Sequence, residues 1–241
     1  SGRALEIMKE RGYLKEHADP DAVRQAIAQN VVNDLREGKT SIGLAGTRAD
    51  VAAINSQARE LARENGLLKG DDHKFTTLAS SKATVEKPKN FAVGDRVITL
   101  KNDKSLKLQN GETWTVTNAA EGRLTLRQSE SGREVKISDK QYKYIDHAYC
   151  ATVHKSQGET LDRAHVMHDS AMSDRSLSYV SASRHRESMS YHHTSAQKDE
   201  LQKDMGRVRD KDSSTDYETS RHHDDPGPEH GQGHYSSSSS Y

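Results

Sequence analysis

Two polar, cationic stretches of the chain carry residue types that bind phosphate. The first, residues 149–160, reads Y-C-A-T-V-H-K-S-Q-G-E-T and ends a strand-like run in a turn that contains Gly158. The second, residues 179–187, reads Y-V-S-A-S-R-H-R-E and has helical character. Lysine, arginine and backbone N–H groups hold phosphates, and glycine lets the backbone approach them closely. The sequence therefore predicts a phosphate site at the carboxyl end of a strand, where α/β sheets bind ligands.

Arg184 is the residue best suited to stabilise charge on a phosphate during its transfer. Its guanidinium is planar and permanently charged, so it can contact several phosphate oxygens at once from outside a phosphate loop. Arg186 faces another side of the predicted helix and is expected to pair with Glu187 or to contact the loop around Gly158. The alternative is that residues 184–187 form a solvated basic helix end.

An alternation of helices and strands must position these stretches. Asp19-Pro20 predicts a helix start, because aspartate caps a helix and proline suits its first position, and Gly38 ends this helix. A strand over 41–45 follows, and then a helix with apolar residues on one face that ends at Asn65-Gly66. Strand, turn and helix form half of a βαβ unit, which predicts a parallel sheet made of residues 40–83 and 144–193.

The middle of the chain has a different pattern. From about Lys87, short alternating strands over 96–100, 113–117, 124–127 and 134–137 are separated by Asn-Gly, Glu-Gly and Ser-Gly turns. This pattern predicts a small antiparallel β-barrel inserted into the α/β domain. Further elements are predicted over 164–167 (strand), 174–186 (helix), 189–192 (strand) and 195–205 (helix).

These motifs together resemble the second RecA-like motor domain of superfamily 1 DNA helicases of the 5′-to-3′ subgroup. The run T-V-H-K-S-Q-G-E-T resembles motif V, S-R-H-R resembles motif VI, and the first strand and helix of the predicted sheet resemble motif IV. The stretch G-D-R-V-I before Asn-Gly is similar to the barrel inserted in that subgroup. The resemblance is greatest to the helicase part of MobF-type conjugative relaxases. It implies an α/β fold with a RecA-like parallel sheet and helices on both faces.

The resemblance also divides the motif residues between a nucleotide side and a DNA side. On the nucleotide side it implies Arg184 as the arginine finger, with Gln157, Gly158, Glu159 (near the ribose) and Arg186 around the nucleotide.

Many family members carry an arginine at the position of Gly46, and Arg48 is the nearest guanidinium to it, which makes Arg48 the candidate phosphate ligand of this segment.

On the DNA side the resemblance implies contacts from Thr152, His154 and Lys155 to the backbone of single-stranded DNA. Lys101 and Lys104 lie between the barrel strands and are predicted to extend this track.

Half of a nucleotide site is missing from the sequence. It contains neither a G-x-x-x-x-G-K-[ST] phosphate loop nor an Asp-Glu pair after an apolar strand. ATP and Mg²⁺ are therefore expected only together with a first motor domain, supplied in cis or as a separate chain. The 241 residues alone are predicted not to hydrolyse ATP.

Composition narrows the class of protein further. Basic and acidic residues each number 36, so the net charge is zero and any nucleic-acid surface must be local. A single cysteine, Cys150, fits a reducing cytoplasm, and no apolar run approaches the ~18 residues of a membrane span. The tail after Val208 has no aliphatic residue and is predicted to be disordered, and its scattered histidines are not predicted to bind metal. These are His222, His223, His230 and His234.

The predicted domain organisation assigns residues 1–38 to a helical lead-in, 39–86 and 141–206 to the motor domain, 87–140 to the barrel and 207–241 to the tail. Two alternatives for function stay open at this point. One is a repair-type 5′-to-3′ helicase of the same superfamily. The other is a nucleic-acid-binding module without ATPase activity.

Overall fold

The computed structural model describes residues 10, 12–152, 160–169 and 188–203. Its elements in chain order are β1 (Leu14–His17), α1 (Pro20–Arg36), β2 (Ser41–Ala45), α2 (Arg48–Glu64), β3 (Lys69–Thr77), β4 (Lys87–Val93), β5 (Arg96–Thr99), β6 (Thr113–Ala120), β7 (Arg123–Arg127), β8 (Glu134–Ser138), β9 (Ile145–His147), β10 (Cys150–Thr152), β11 (Arg163–Met167) and β12 (Ser188–Thr194), followed by a 3-10 turn (Ser195–Gln197). The predicted helix over 174–186 and the predicted tail lie outside the described residues.

A parallel sheet forms the centre of the described structure. Its strands follow the order β1-β12-β11-β2-β10, and every neighbouring pair is parallel. Because all strands run the same way, the ends of β2 and β10 lie side by side, with Ala45 opposite Thr152. The predicted α/β class is confirmed, and the end of the motif V strand lies at the carboxyl edge of the sheet.

Local sequence signals explain both long helices. The Asp19 side chain accepts a hydrogen bond from the Ala22 amide at 2.8 Å, and proline occupies the first position of α1 as predicted. The Thr47 side chain caps α2 by accepting from the Asp50 amide at 3.1 Å. Such caps satisfy amides that would otherwise lack partners at a helix start.

The helices and the sheet bury their apolar residues in two layers. Apolar side chains of α1 and α2 pack together on one face of the sheet in one cluster. On the other face, Ile42, Leu44 and Val166 pack against Ile98 and against Leu201, which lies in the helical residues 198–203. Helical residues therefore pack against both faces of the sheet, and on the second face the inserted part packs beside them.

The inserted part is antiparallel, also as predicted. Within the described residues it consists of a five-stranded sheet in the order β8-β7-β6-β5-β9 and a two-stranded sheet of β3 and β4. Both sheets contribute to one core, in which Phe75 and Phe91 pack with Trp114, Leu126 and Ile145. The two antiparallel sheets thus pack around one shared core.

Two segments that we predicted in the parallel sheet instead form antiparallel pairs. Lys69–Thr77 pairs with β4, and Ile145–His147 pairs with β5. The first has only two buried residues, so its apolar pattern is too weak to show its partner. The second is continuous with β10 in sequence, but the chain crosses at Ala148-Tyr149 from the insertion into the parallel sheet.

The last predicted helix, over 195–205, has Thr194 as its N-cap. The Thr194 backbone N–H donates to the side chain of Gln197 at 3.0 Å. A 3-10 turn therefore precedes the helical residues 198–203.

Candidate nucleic-acid interface

A cleft of about 1020 Å³ separates the parallel-sheet part from the inserted part. One wall is formed by α2 from Arg48 to Glu64, another by β10, and the third by residues between 77 and 90. The cleft runs along α2 and β10 and reaches Arg48 at the start of α2 and Thr152 at the end of β10. One part of it therefore lies at the carboxyl edge of the parallel sheet, where an α/β sheet usually binds its ligands and where the sequence predicted a phosphate site.

Two residues that the sequence assigned to different roles meet in this cleft. Thr152 ends β10 and Arg48 begins α2, and both line the cleft. Arg48 is exposed, and within the described residues it makes no ion pair. Arg48 and Thr152 therefore line the same cleft.

The remaining cleft arginines are held by acids. The Arg59 guanidinium donates to Asp72 at 2.6 Å and to Asp95 at 2.9 Å, and Arg63 also donates to Asp72 at 2.6 Å. These contacts, with burial opposing them, raise the pKa of Arg59 above its ordinary value. The two arginines are therefore structural cations, and Arg48 is the one of the three arginines that has no carboxylate partner among the described residues.

Lys101 and Lys104 lie on the connection between β5 and β6 and are both exposed. The Lys101 ammonium lies 4.5 Å from the centre of the Tyr144 ring, in a cation–π contact. Neither lysine lines the cleft, although Leu100, the residue before Lys101, does. Arg48 and Thr152 thus line the cleft, and the two lysines lie outside its lining.

A buried carboxylate that the sequence analysis did not identify joins the walls of the cleft. Asp95 is fully buried and accepts hydrogen bonds from Arg59 of α2, from the Tyr149 hydroxyl at 2.7 Å and from the Ala92 amide at 2.8 Å. Burial, reinforced by the negative charge of Asp95, raises the pKa of Tyr149, so this hydroxyl stays a donor. Asp95 therefore ties the inserted part to α2 and to the chain just before β10.

Gly94 permits this junction. Its φ is +97°, and a Cβ there would lie 2.1 Å from the carbonyl oxygen of Leu67. Only glycine adopts this conformation at so short a distance from backbone. In the G-D-R-V-I stretch, Gly94 thus allows the chain to pass close to Leu67, and Asp95 binds α2 and Tyr149.

A second polar cluster lies under the end of α1, away from the cleft. His17 Nε2 lies 2.9 Å from His192 Nδ1, and His192 Nε2 lies 2.7 Å from the Ser190 hydroxyl. That hydroxyl is 2.5 Å from His165 Nδ1, and His165 Nε2 is 2.6 Å from Asp34 Oδ2. This chain of hydrogen bonds links β1, β12, β11 and α1 in the interior.

We expect the free energy of unfolding to fall as the pH is lowered from 6.5 towards about 3, because of His192 in this cluster. Burial, followed by the nearby His165, His17, Lys15 and His193, lowers the pKa of His192 from 6.5 to about 3. The unfolded chain thus binds one more proton than the folded chain between those two values, and stability falls by up to about 1.4 kcal/mol per pH unit. Urea denaturation at pH 7, 6 and 5 measures the slope. His192→Gln should flatten it, and an unchanged slope would contradict this account.

Several predicted site residues lie outside the described residues, and their roles stay predictions. These are His154, Lys155, Gln157, Gly158, Glu159, Arg184 and Arg186.

The described residues contain no helix that is long and apolar enough to span a membrane.

Part of the chain matches a known family. Residues 77–193 match the family described as the viral superfamily 1 RNA helicase core domain. This match confirms the resemblance to superfamily 1 helicases that the motifs predicted.

Within that class, the sequence resembles conjugal transfer proteins. It is 34% identical over 208 residues to the conjugal transfer protein TraA of Rhizobium radiobacter, which covers 84% of this chain and 18% of that protein. It is 30% identical over 223 residues to the probable conjugal transfer protein TraA of Sinorhizobium fredii (strain NBRC 101917 / NGR234), covering 90% of this chain and 19% of that protein. The chain thus spans 18–19% of the length of these two relatives.

Solved structures of Pif1 helicases are more distant. Bacteroides Pif1 bound to ssDNA is 20% identical with a TM-score of 0.45, covering 69% of this chain and 48% of that chain. Bacteroides sp. Pif1 in complex with ADP-AlF4 is 20% identical with a TM-score of 0.43, covering 68% and 48%.

Proposed function

We propose that this chain is the second motor part of an ATP-dependent DNA helicase that acts in conjugative transfer, as the helicase part of a relaxase. The observation that carries the proposal is that Arg48 and Thr152, from the stretches that resemble motifs IV and V, line one cleft beside the parallel sheet. The identity to TraA proteins favours the conjugative role over a repair-type helicase.

The proposed nucleotide side uses the residues that follow β10 and the motif VI stretch. Gly158 brings backbone amides to a phosphate, Gln157 and Glu159 flank the nucleotide, and Arg184 stabilises the charge that develops on the γ-phosphate. Arg48 is the proposed phosphate ligand of motif IV, because it is exposed, lines the same cleft as Thr152 and has no acidic partner among the described residues.

The cations of this chain suit ATP, while carboxylates to hold Mg²⁺ would come from a first motor domain, in cis or as a separate chain. When bound there, ATP and Mg²⁺ supply the phosphoryl group and neutralise its charge. This chain's proposed contribution is to position the phosphates and to stabilise the charge on them.

The proposed DNA side begins at Thr152 and continues through His154 and Lys155. The lining of the cleft includes no phenylalanine, tyrosine or tryptophan, so stacking platforms for bases are lacking among its described residues. Binding would therefore depend on contacts to the backbone, which favours weak binding without sequence preference. Lys101 and Lys104 are proposed to extend the track beyond the cleft.

We expect the 241-residue chain to bind a fluorescently labelled oligothymidine with an affinity that falls shallowly with salt. Each phosphate contact on a single strand contributes about 0.7 to the slope of log K against log salt. Lys155→Ala and the double variant Lys101→Ala/Lys104→Ala should each weaken binding and reduce that slope. Fluorescence anisotropy at several salt concentrations measures both effects.

The matched control is Lys136→Ala, which removes an exposed lysine from the edge strand β8 without touching the cleft. It should leave affinity and slope unchanged. Equal effects of all these variants would indicate diffuse attraction and not a defined DNA track. If only the control weakened binding, the proposed DNA side would be wrong.

A further inference from the structure

Strand β10, which leads into the motif V segment, lies at the edge of the parallel sheet. Within the described residues it has a strand neighbour only on the side of β2. The Gly43 amide donates to the Tyr149 carbonyl at 2.8 Å, and Cys150 lies opposite Gly43 in the register. In a parallel ladder, successive residues direct their backbone groups to opposite sides. The N–H and C=O of Cys150 therefore point away from β2, towards the open edge.

Asn55 of α2 satisfies both of these backbone groups. The Cys150 amide donates to Asn55 Oδ1 at 2.8 Å, and Asn55 Nδ2 donates to the Cys150 carbonyl at 3.0 Å. The Asn55 side chain is buried, with 5% of its surface exposed. A primary amide presents one acceptor and two donors, so it can close a strand edge as a neighbouring peptide group would.

We call this pair of hydrogen bonds between Asn55 and Cys150 the clamp. Asn55 belongs to the side of α2 that lines the cleft. Arg48, Asn55 and Arg59 are spaced seven and four residues apart, which places them on one side of α2, and all three line the cleft. Arg48 is the proposed phosphate ligand and Arg59 holds Asp95. Asn55 lies between these two arginines on α2 and binds Cys150, the first residue of β10. Thr152, the last residue of β10, follows Cys150 by two positions.

We propose that Asn55 is a positioning residue that fixes β10, and through it the motif V segment, relative to the phosphate site on α2. This inference rests on the proposed function, because it assigns to Asn55 the task of orienting the residues that follow Thr152. Asn55 itself contacts neither nucleotide nor DNA in this role.

The isosteric variant Asn55→Asp removes the donor half of this pair of hydrogen bonds. Aspartate keeps the size of the side chain but cannot donate to the Cys150 carbonyl while ionised, so two acceptors would face each other in a buried place. If Asn55 holds β10 through these hydrogen bonds, Asn55→Asp should be at least as disruptive as Asn55→Ala.

Cys150 itself reports on the clamp. It is the only cysteine in the sequence, its side chain is buried, and burial raises the pKa of its thiol, so labelling of the folded chain should be slow. A lost hydrogen bond with an unsatisfied buried partner should speed labelling by about tenfold. We would measure thiol labelling in the 241-residue chain for the native protein, Asn55→Asp, Asn55→Ala and the neighbouring exposed control Ser56→Ala.

Both Asn55 variants should label faster and the control should not. Labelling of Asn55→Asp at the native rate would overturn the clamp. If the variants did not fold, hydrogen exchange of the native chain would decide, because the clamp requires the Cys150 amide to be protected although it faces the sheet edge. Rapid exchange of that amide would also overturn it.

The functional arm uses the polypeptide extended to include a first motor domain. A displaced motif V segment should lower kcat of DNA-stimulated ATP hydrolysis by about 100-fold in Asn55→Asp, while KM for ATP changes by less than about threefold. If the native extended protein hydrolyses no ATP, the proposed function fails, and the positioning role with it, although the labelling result stands. If the native protein is active and Asn55→Asp keeps its kcat, only the positioning role fails.

Discussion

In a polypeptide extended to include a phosphate-binding loop, Arg184→Ala is expected to lower the rate of DNA-stimulated ATP hydrolysis by about 10³–10⁵. An arginine that meets the γ-phosphate chiefly as charge moves during transfer lowers the barrier more than it strengthens binding of ATP. Binding of ATP and of single-stranded DNA should therefore change little. Steady-state hydrolysis and equilibrium binding, measured on the same preparation, check this expectation.

Two further variants sharpen the test of Arg184. Arg184→Lys should not restore activity, because a single ammonium cannot reproduce the planar fork of the guanidinium. Arg186→Ala, two residues away on another side of the predicted helix, should cost much less. If Arg184→Ala and Arg186→Ala were equally mild, residues 184–187 would be a solvated basic helix end and the proposed finger would be wrong.

The parts of the fold that the sequence predicted correctly are those determined by local chemistry. Asp19-Pro20 predicts the start of α1 because a side-chain acceptor and a fixed φ act within one turn. The apolar spacing of Val23, Ile27 and Val31 predicts its buried face, and all three are buried. The strands β5 to β8 follow from turn residues between short alternating runs.

Strand partners were predicted less well, because pairing depends on residues far apart in the chain. β9 and β10 are separated by only Ala148 and Tyr149, yet one pairs with β5 and the other with β2. Nothing in a short apolar run marks the point at which a chain passes from one sheet to another.

The same limit applies to the site. Asn55 is a polar residue between the buried Ile54 and Ala58, and such a residue on a buried helix face indicates an unseen hydrogen-bond partner. Its partner, Cys150, lies 95 residues further along the chain. The sequence could therefore have indicated that Asn55 has a buried hydrogen-bond partner, but it could not have identified β10 as the strand that contains this partner.

The largest stability effect in the described residues is expected at Asp95. Asp95→Ala should lower the free energy of unfolding of the 241-residue chain by about 3–5 kcal/mol, the usual cost of removing one partner of a buried ion pair. Asp95 is fully buried, and its loss deprives the half-buried Arg59, the Tyr149 hydroxyl and the Ala92 amide of their shared acceptor. Urea denaturation followed by circular dichroism measures the change.

The control for Asp95 is Asp72, a more exposed aspartate that binds the same Arg59 guanidinium. Asp72 also accepts hydrogen bonds from Arg59, but its side chain is 35% exposed, so water can replace these contacts. Asp72→Ala should therefore lower the free energy of unfolding by about 1 kcal/mol or less.

Because Asp95 connects α2 to the inserted part and to the residue before β10, its removal should also loosen the cleft. Cys150 labelling should then rise in Asp95→Ala and not in Asp72→Ala. Equal destabilisation by the two variants would show that Arg59 is held by its exposed partner, and that Asp95 does not join the walls of the cleft.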